Sequence, residues 1–215
     1  MKNTEKYYDE CAYEYDNFYI SRERYKDYKK IEERIQQEIE NKSILELACG
    51  TGHWTNFFSK FAKMITAVDK STNMLNIAKN KIDEDKVYFI NDDVYNLSSI
   101  ENNKYEVIIS VFLYSHIAIQ EKEKFFTSMH SKLKNNGTII LIDNLHIKGS
   151  SFPINKIDIH GNRFQKRELS NKNNYMVLKN LPMKEDFFIK NNFPIEYKEL
   201  EYCWYVIYRH NKDKK

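Results

Sequence analysis

The sequence predicts an α/β fold, in which an open sheet of seven mostly parallel strands carries helices on both faces and ends in a C-terminal antiparallel hairpin. Two observations predict this fold. Short, dense apolar runs alternate with segments whose apolar residues recur at steps of three and four, and such alternation is typical of parallel sheets joined by right-handed crossovers. Two further apolar runs near the end of the chain are close enough in sequence to pair antiparallel.

Composition narrows the class of protein. The 215 residues, 41% of them hydrophobic, suffice for a single domain over residues 1–215 with a sizeable core. Lys and Arg (34) are interspersed with Asp and Glu (31), which is typical of a solvated surface, so no nucleic-acid partner is expected. The longest apolar stretch is too short to span a membrane and no apolar signal core is present, so we expect a cytoplasmic protein without a membrane partner. Three scattered cysteines predict neither disulfides nor a metal site.

The first 40 residues are predicted to form an N-terminal helical cap. Tyr28, Ile31, Ile35 and Ile39 recur at three- and four-residue steps, which places them on one face of a helix over residues 22–40. The preceding segment is rich in tyrosine and is predicted to be a short helix or cap.

Seven apolar runs are predicted as strands. They are short, and the fourth is apolar on both faces, as expected of a strand buried in a parallel sheet. Gly137 is predicted to break the chain before the fifth strand. The predicted strands cover residues 43–47, 64–68, 87–90, 107–112, 138–142, 195–201 and 204–208.

Helices are predicted between these strands. A run of aromatic residues indicates one over residues 55–63, and Ser71 is predicted as the N-cap of the next. After the fifth strand the chain turns polar, and residues 147–182 are predicted to form an insertion that contributes to the substrate site. Two short strands are expected there, around Arg163–Leu169 and Tyr175–Leu178, and a short helix near Met183–Lys190 follows.

A glycine-bearing turn follows the first strand, and a carboxylate follows the second. Gly50 and Gly52 would let a ligand approach the backbone closely, and Asp69 can accept hydrogen bonds from both hydroxyls of a ribose. A dinucleotide fingerprint has a third small residue where Thr55 stands. Glu46, just before the turn, would repel a pyrophosphate but suits a ligand with an ammonium and a sulfonium. A NAD-dependent oxidoreductase is therefore the least favoured reading.

These residues carry a resemblance to the class I S-adenosylmethionine-dependent methyltransferases, whose sheet is Rossmann-like. Glu46-Leu47-Ala48-Cys49-Gly50-Thr51-Gly52 is similar to the first motif of that family, with Ala48 in place of its first glycine. Val68-Asp69-Lys70-Ser71 resembles the ribose-binding segment, and residues 89–94 resemble the segment that holds the adenine. Residues 105–109 and 133–138 match the fourth and fifth strand signatures, so the resemblance covers residues 40–145.

The resemblance implies S-adenosyl-L-methionine as cofactor, S-adenosyl-L-homocysteine as product and no metal. It puts Glu46 near the ammonium of the methionine portion, Asp69 at the ribose hydroxyls, and Asp93 with the Val94 amide at the adenine edge. For Trp54, core packing is the alternative. The predicted cofactor-binding residues are Glu46, Ala48, Gly50, Gly52, Trp54, Asp69, Lys70, Asp93 and Val94.

Two histidines are candidates for a general base, which methyl transfer to a hydroxyl or a protonated amine would use. His116 lies just past the carboxyl end of the fourth strand, where ligands meet such sheets. The alternative role for His116 is to cap the next helix or to bind the cofactor. His146, after the fifth strand, is the second candidate.

Aromatic and basic residues are predicted to bind the acceptor. The resemblance implies that the N-terminal segment closes over the cofactor, where tyrosines of the cap would cover the sulfonium through cation–π attraction; the alternative is that they bury one face of a surface helix. Arg163 and Arg167 near the mouth of the site can bind phosphate or carboxylate in bidentate fashion, or else belong to a solvated hairpin. The predicted substrate-binding residues are Tyr7, Tyr15, Tyr19, Tyr114, Arg163 and Arg167.

The predicted function is S-adenosylmethionine-dependent methyl transfer, by in-line displacement, to an oxygen or nitrogen of a small metabolite. The local positive charge of the insertion adds the hypothesis that this metabolite is anionic. Two alternatives stay open: a methyltransferase that acts on tRNA or rRNA, and a non-catalytic protein that only binds S-adenosylmethionine. We expect a monomer or a homodimer.

Overall fold

The computed structural model describes residues 2–20, 22–145, 154–157, 159–161, 163–168, 174–178 and 194–210. Helices come first. They are α1 (Lys2–Cys11), a 3₁₀ helix (Ala12–Ile20) and α2 (Arg22–Ile39). The apolar stripe predicted for α2 is buried, since Ile31, Ile35 and Ile39 have no exposed surface. From here on, the cap means residues 2–20 alone, that is, α1 and the 3₁₀ helix.

Seven strands form the main sheet. They are β1 (Ser43–Leu47), β2 (Met64–Asp69), β3 (Val87–Asn91), β4 (Tyr105–Val111), β5 (Leu133–Asn144), β9 (Pro194–Glu199) and β10 (Cys203–Arg209). Their order across the sheet is β3-β2-β1-β4-β5-β10-β9. Strands β1 to β5 pair in parallel, β10 runs antiparallel to β5, and β9 runs antiparallel to β10. This topology confirms the predicted fold class.

Helices cover both faces of the sheet. The helices between strands are α3 (His53–Phe58), α4 (Thr72–Lys81) and α5 (Lys122–Lys132). Successive residues of a strand point to opposite faces, so Ile44 packs in a cluster with α2 while Leu45 packs in a cluster with α5. None of the described helices combines the length and the apolar character that a membrane span needs.

Two local predictions need correction and one is confirmed. Strand β5 begins at Leu133 and not at residue 138. The strand is irregular before Gly137, since Asn136 has a positive φ of 59° and the pairing with β4 shifts register there; a Cβ atom at Gly137 would lie 2.6 Å from the Cγ of Leu133, so this local bend explains the glycine. Helix α3 ends at Phe58, earlier than predicted. Ser71 does cap α4, since its hydroxyl accepts a hydrogen bond of 3.1 Å from the backbone N–H of Met74.

The polar region after β5 contains a small antiparallel sheet. It consists of β6 (Ile154–Ile157), β7 (Arg163–Glu168) and β8 (Asn174–Leu178), in that order. Strands β7 and β8 lie where the sequence predicts them. Strand β8 lies against α1 and against the 3₁₀ turn Tyr114–His116 that follows β4. The helix predicted near residues 183–190 lies outside the described residues.

One buried carboxylate ties α2 to the turn between β9 and β10. Asp27 is 1% exposed, and its oxygens accept hydrogen bonds from three backbone N–H groups. Those of Tyr202 and Cys203 are the shortest, at 2.6 and 3.0 Å. Since buried N–H groups need partners, Asp27 supplies acceptors that the turn cannot supply itself.

Candidate functional site

A cavity opens at the carboxyl ends of the parallel strands, where ligands meet such sheets. The ends of β1 to β4 form its floor and walls, and the cap lies over it. Residues from every one of these elements line it together. They are Tyr8, Tyr15, Tyr19, Ala48, Asp69, Lys70, Ser71, Met74, Asp93, Val94, Tyr95, Val111, Phe112, Leu113, His116 and Ile117.

The turn after β1 presents its backbone toward this cavity. Ala48, Gly50 and Gly52 all adopt positive φ angles, of 55°, 56° and 81°, a region that favours glycine. A Cβ atom at Gly50 would have Tyr15 of the cap as its nearest neighbour, at 3.8 Å. A Cβ atom at Gly52 would lie 2.9 Å from Ile82. Gly50 therefore borders the space under the cap, whereas Gly52 lets the turn pack closely on α4 and the residue that follows it.

Two carboxylates stand at the ends of neighbouring strands. Asp69, at the end of β2, accepts hydrogen bonds of 2.8 Å from the backbone N–H groups of Gly50 and Ser71. Burial raises the pKa of Asp69 above its usual value, although these hydrogen bonds oppose the shift. Asp93, beyond the end of β3, forms an ion pair of 3.2 Å with Lys70. Both carboxylates line the cavity.

Glu46 lies under the turn, within the fold. It is 2% exposed, and the hydroxyl of Thr55 donates a hydrogen bond of 2.6 Å to its carboxylate. Burial raises the pKa of Glu46 to about 8. Thr55 occupies the position where a dinucleotide fingerprint has a small residue, and here its hydroxyl serves as a partner for Glu46. This carboxyl therefore supports the turn from below and does not line the cavity.

Three aromatic residues predicted for the site are buried beside the cavity instead of lining it. Trp54 is 3% exposed and packs edge-on against Tyr28 at 5.6 Å between ring centroids. Tyr7 is 2% exposed and packs with apolar residues of the cap. Tyr114 is 1% exposed, with the ammonium of Lys122 4.4 Å from the centre of its ring. Their packing is that of core residues.

His116 lines the cavity at the end of the 3₁₀ turn after β4. The hydroxyl of Tyr8 lies 3.0 Å from its Nε2 atom. The preceding residue, Ser115, donates two hydrogen bonds to the buried Asp143, from its N–H at 2.6 Å and from its hydroxyl at 3.1 Å. The turn that carries His116 is thus anchored to the end of β5. Sequence analysis counted Tyr8 among the tyrosines of the cap but not among the predicted binding residues, and it missed Asp143.

The cap is attached at both ends of α4. Asp9 accepts a hydrogen bond of 2.7 Å from the Ser71 hydroxyl and one of 3.0 Å from the side-chain amide of Asn73. At the other end of the helix, Asp16 pairs with the ammonium of Lys81. A negative side chain at a helix N-terminus and a cation in the last turn are both favourable arrangements. Two carboxylates thus hold the cap over the cavity.

Of the remaining predicted site residues, two lie in the small sheet and one lies outside the described part of the chain. Arg163 and Arg167 both belong to β7 of the small sheet. His146 lies outside the described residues. Within the part of the chain that is described, no group of three or more His, Cys, Asp or Glu side chains could hold a metal ion.

The donor set of this cavity fits S-adenosylmethionine. A carboxylate at the end of β2 suits the two hydroxyls of a ribose, and Asp93 with the Val94 amide follows on the next strand. Apolar side chains, among them Met74 and Val94, line the wall between them, which suits a flat base. The left-handed turn at Ala48 and Gly50 leaves backbone surface for the methionine portion.

Comparison with known proteins agrees with this fit. A family model described as a methyltransferase domain matches residues 44–137, from β1 into β5. The malonyl-[acyl-carrier protein] O-methyltransferase of Priestia megaterium is 40% identical over 102 residues, which cover 46% of this chain and 32% of that protein. An uncharacterized methyltransferase of Bacillus cytotoxicus is 26% identical over 149 residues, 67% of this chain and 69% of that one. The match to the first relative thus spans about a third of its length.

Among solved structures, one titled "DhpI-SAH complex structure" has the same fold. Its TM-score is 0.77 at 20% identity, and the match covers 98% of this chain and 97% of that one. The match over residues 44–137 makes that part of the chain similar to a methyltransferase domain, in agreement with its motifs and its fold.

Proposed function

We propose that the protein transfers a methyl group from S-adenosylmethionine to an oxygen or nitrogen of a small, anionic metabolite, with His116 as the general base. One observation carries the proposal. His116 lines the same capped cavity as Asp69 and Asp93, so a proton acceptor stands in the space that fits the cofactor. Its position at the end of β4 is where substrates of such sheets bind.

The residues of the site have separate roles in the proposed reaction. Bound S-adenosylmethionine supplies a methyl carbon that its positive sulfur activates. Asp69 and Asp93 bind and orient its ribose and its adenine, and Tyr15 and Tyr19 of the cap exclude water above it. His116 accepts the proton that the acceptor hydroxyl or ammonium loses.

The test is transfer of labelled methyl from S-adenosylmethionine into a cell metabolite extract, with products identified by mass spectrometry. Substituting His116→Ala should lower kcat about a hundredfold, because a positioned general base contributes on the order of 10² to 10⁴. Calorimetry should still detect S-adenosylmethionine binding. The matched control is His130→Ala, since His130 lies on α5 and stacks on His210, beside the amino-terminal part of β5. Full activity of the His116 variant would remove His116 from this role.

The same assay separates the alternatives. Label in tRNA or rRNA instead of in a metabolite would replace the proposal with an RNA methyltransferase. Cofactor binding with no labelled product from any fraction would favour a non-catalytic binding protein.

The proposal that the acceptor is anionic depends on Arg163 and Arg167, the two arginines of β7. Both belong to β7 of the small sheet, whose strand β8 lies against α1 and the His116 turn. A hydrogen bond to a charged group contributes about 1.5–3 kcal/mol, so substituting both Arg163→Ala and Arg167→Ala should raise the acceptor KM about tenfold or more while kcat holds. Lys166→Ala, another basic residue of the same strand, is the control. An unchanged KM would contradict the anionic acceptor.

A further inference from the structure

Helix α2 carries two half-buried arginines with different partners. Arg34 binds two carboxylates, that of Glu196 at 2.7 Å and that of Glu38 at 3.2 Å. Arg24, in the first turn of the helix, donates a hydrogen bond to the side-chain oxygen of Asn144, and no carboxylate within the described part of the chain forms an ion pair with it. Removing a cation from water costs free energy unless an anion is paired with it. The guanidinium of Arg24 is therefore suited to an anion from outside the chain.

The side chains next to Arg24 are either neutral or bound to other donors. Tyr28 is neutral, because burial raises its pKa to about 12, although the nearby charge of Arg24 opposes that rise. Asp27 directs its oxygens at three backbone N–H groups of the turn between β9 and β10. Asp143, beside Asn144 in β5, accepts hydrogen bonds from the 3₁₀ turn after β4. A guanidinium has five N–H donors in a planar fork, so Arg24 keeps donors for a further partner.

The end of β5 brings Arg24 and His116 to one edge of the sheet. Asp143 holds the turn that carries His116, through two hydrogen bonds from Ser115. Asn144, the next residue, accepts the hydrogen bond from Arg24, and successive residues of a strand point to opposite faces. Arg24 and His116 thus share one anchor at the carboxyl end of β5, where ligands meet such sheets.

This edge lies away from the part of the cavity that fits the cofactor. Strand β5 is two strands from β1, a separation of about 10 Å, so Arg24 is distant from the turn that suits the methionine portion. Phe112 lines the cavity and packs against Tyr28, with 6.0 Å between ring centroids. Arg24 therefore lies behind the wall that Phe112 forms, on the side of β5.

We propose that Arg24 binds the anionic group of the methyl acceptor, a carboxylate or a phosphate, through two N–H donors of its planar fork. The acceptor lies along the end of β5, with its reacting hydroxyl or amine at His116 and its anionic end past Phe112 at Arg24. Asn144 is a positioning residue, which holds the fork by one N–H. This role rests on the proposed function, and it adds a residue of α2 to the arginines of the small sheet.

The first experiment needs neither cofactor nor acceptor. Arginine labelled with ¹⁵N reports by NMR the environment of each Nε–H group, and the signal of Arg24 is the one missing from Arg24→Gln. Titration with inorganic phosphate, and separately with acetate, should shift this signal until it saturates, and the stronger response shows which anion is preferred. Arg34, identified through Arg34→Gln, is the matched control, because its carboxylate partners on the page of the same helix already occupy it. No saturable shift of the Arg24 signal in either titration would overturn the proposal.

Kinetics separate acceptor binding from cofactor binding. In Arg24→Gln, the KM of the acceptor in the labelled-methyl reaction should rise about tenfold or more while kcat holds, because a hydrogen bond between charged groups is lost. Arg24→Lys keeps the charge without the planar fork, so it should recover part of the affinity. The Kd of S-adenosylhomocysteine, measured by calorimetry, should not change. Weaker binding of this ligand would place Arg24 at the methionine carboxylate and would contradict the proposed role.

A brace between α2 and β5 is the structural alternative for Arg24. That role predicts that Arg24→Gln and Asn144→Ala lose similar stability to urea and that neither variant changes the acceptor KM, a result that would exclude acceptor binding. Should no acceptor be methylated at all, the proposed function fails, and the phosphate and acetate titrations still decide whether Arg24 binds an anion.

Discussion

Substituting Asp69→Ala is expected to weaken the binding of S-adenosylmethionine and S-adenosylhomocysteine about a hundredfold. Its carboxylate accepts hydrogen bonds from Gly50 and Ser71 and, with about four acceptor positions, keeps capacity for the two hydroxyls of a ribose. Two hydrogen bonds to a charged group contribute about 3 kcal/mol together, and each 1.4 kcal/mol is about tenfold in Kd. Calorimetry with both ligands measures the change.

Asp85→Ala is the matched control for this experiment, because Asp85 is an exposed aspartate between α4 and β3. In the parent protein, burial raises the pKa of Asp69. The carboxylate is the form that accepts hydrogen bonds from the ribose. As the pH falls, affinity for S-adenosylmethionine should therefore begin to decline at a higher pH than it would if the aspartate were exposed. Unchanged affinity of the Asp69→Ala variant for S-adenosylmethionine would contradict the assignment of this cavity as the cofactor site.

The second large effect concerns stability. Substituting Asp27→Ala should lower the free energy of unfolding by about 3 kcal/mol, because it leaves the buried N–H groups of Tyr202 and Cys203 without their acceptor. That is a large share of the 5–15 kcal/mol typical of a domain. Urea unfolding followed by circular dichroism measures it.

Asp27→Asn is the informative companion, since the amide keeps one acceptor oxygen and nearly the same shape. It should lose less stability than Asp27→Ala. Equal stability of all three proteins would show that the turn between β9 and β10 finds other partners for its N–H groups.

The sheet was predictable because most of its strands are apolar runs of the right length, and the central strands β1 and β4 are buried on both faces. The exception is β5, where Gly137 resembles a break in the sequence. In the fold the strand begins earlier, at Leu133, and the glycine is required because the Leu133 side chain occupies the space of a Cβ atom. A local bend within a strand, such as the one at Asn136, leaves no periodic signal in the sequence.

On the cofactor side, Asp69 was predicted from the end of the second strand and Asp93 from the resemblance to the methyltransferase family, and both line the cavity. The acceptor side was less predictable. The cap combines an α-helix with a 3₁₀ helix, whose periods differ, so the sequence cannot tell which of its tyrosines face the cavity. Tyr8 does and Tyr7 does not. Trp54 and Tyr114 are large enough to serve in core or site, and only their burial distinguishes the two.

The attachment of the cap at both ends of α4 bears on the timing of each catalytic cycle. S-adenosylhomocysteine in the cavity would lie under the cap, which is held by Asp9 at one end of α4 and by Asp16 at the other. We expect its release to involve loosening of these two contacts, a slow collective event compared with the motion of a side chain. Residence of the product, more than the speed of the chemical step, would then set the turnover of this protein.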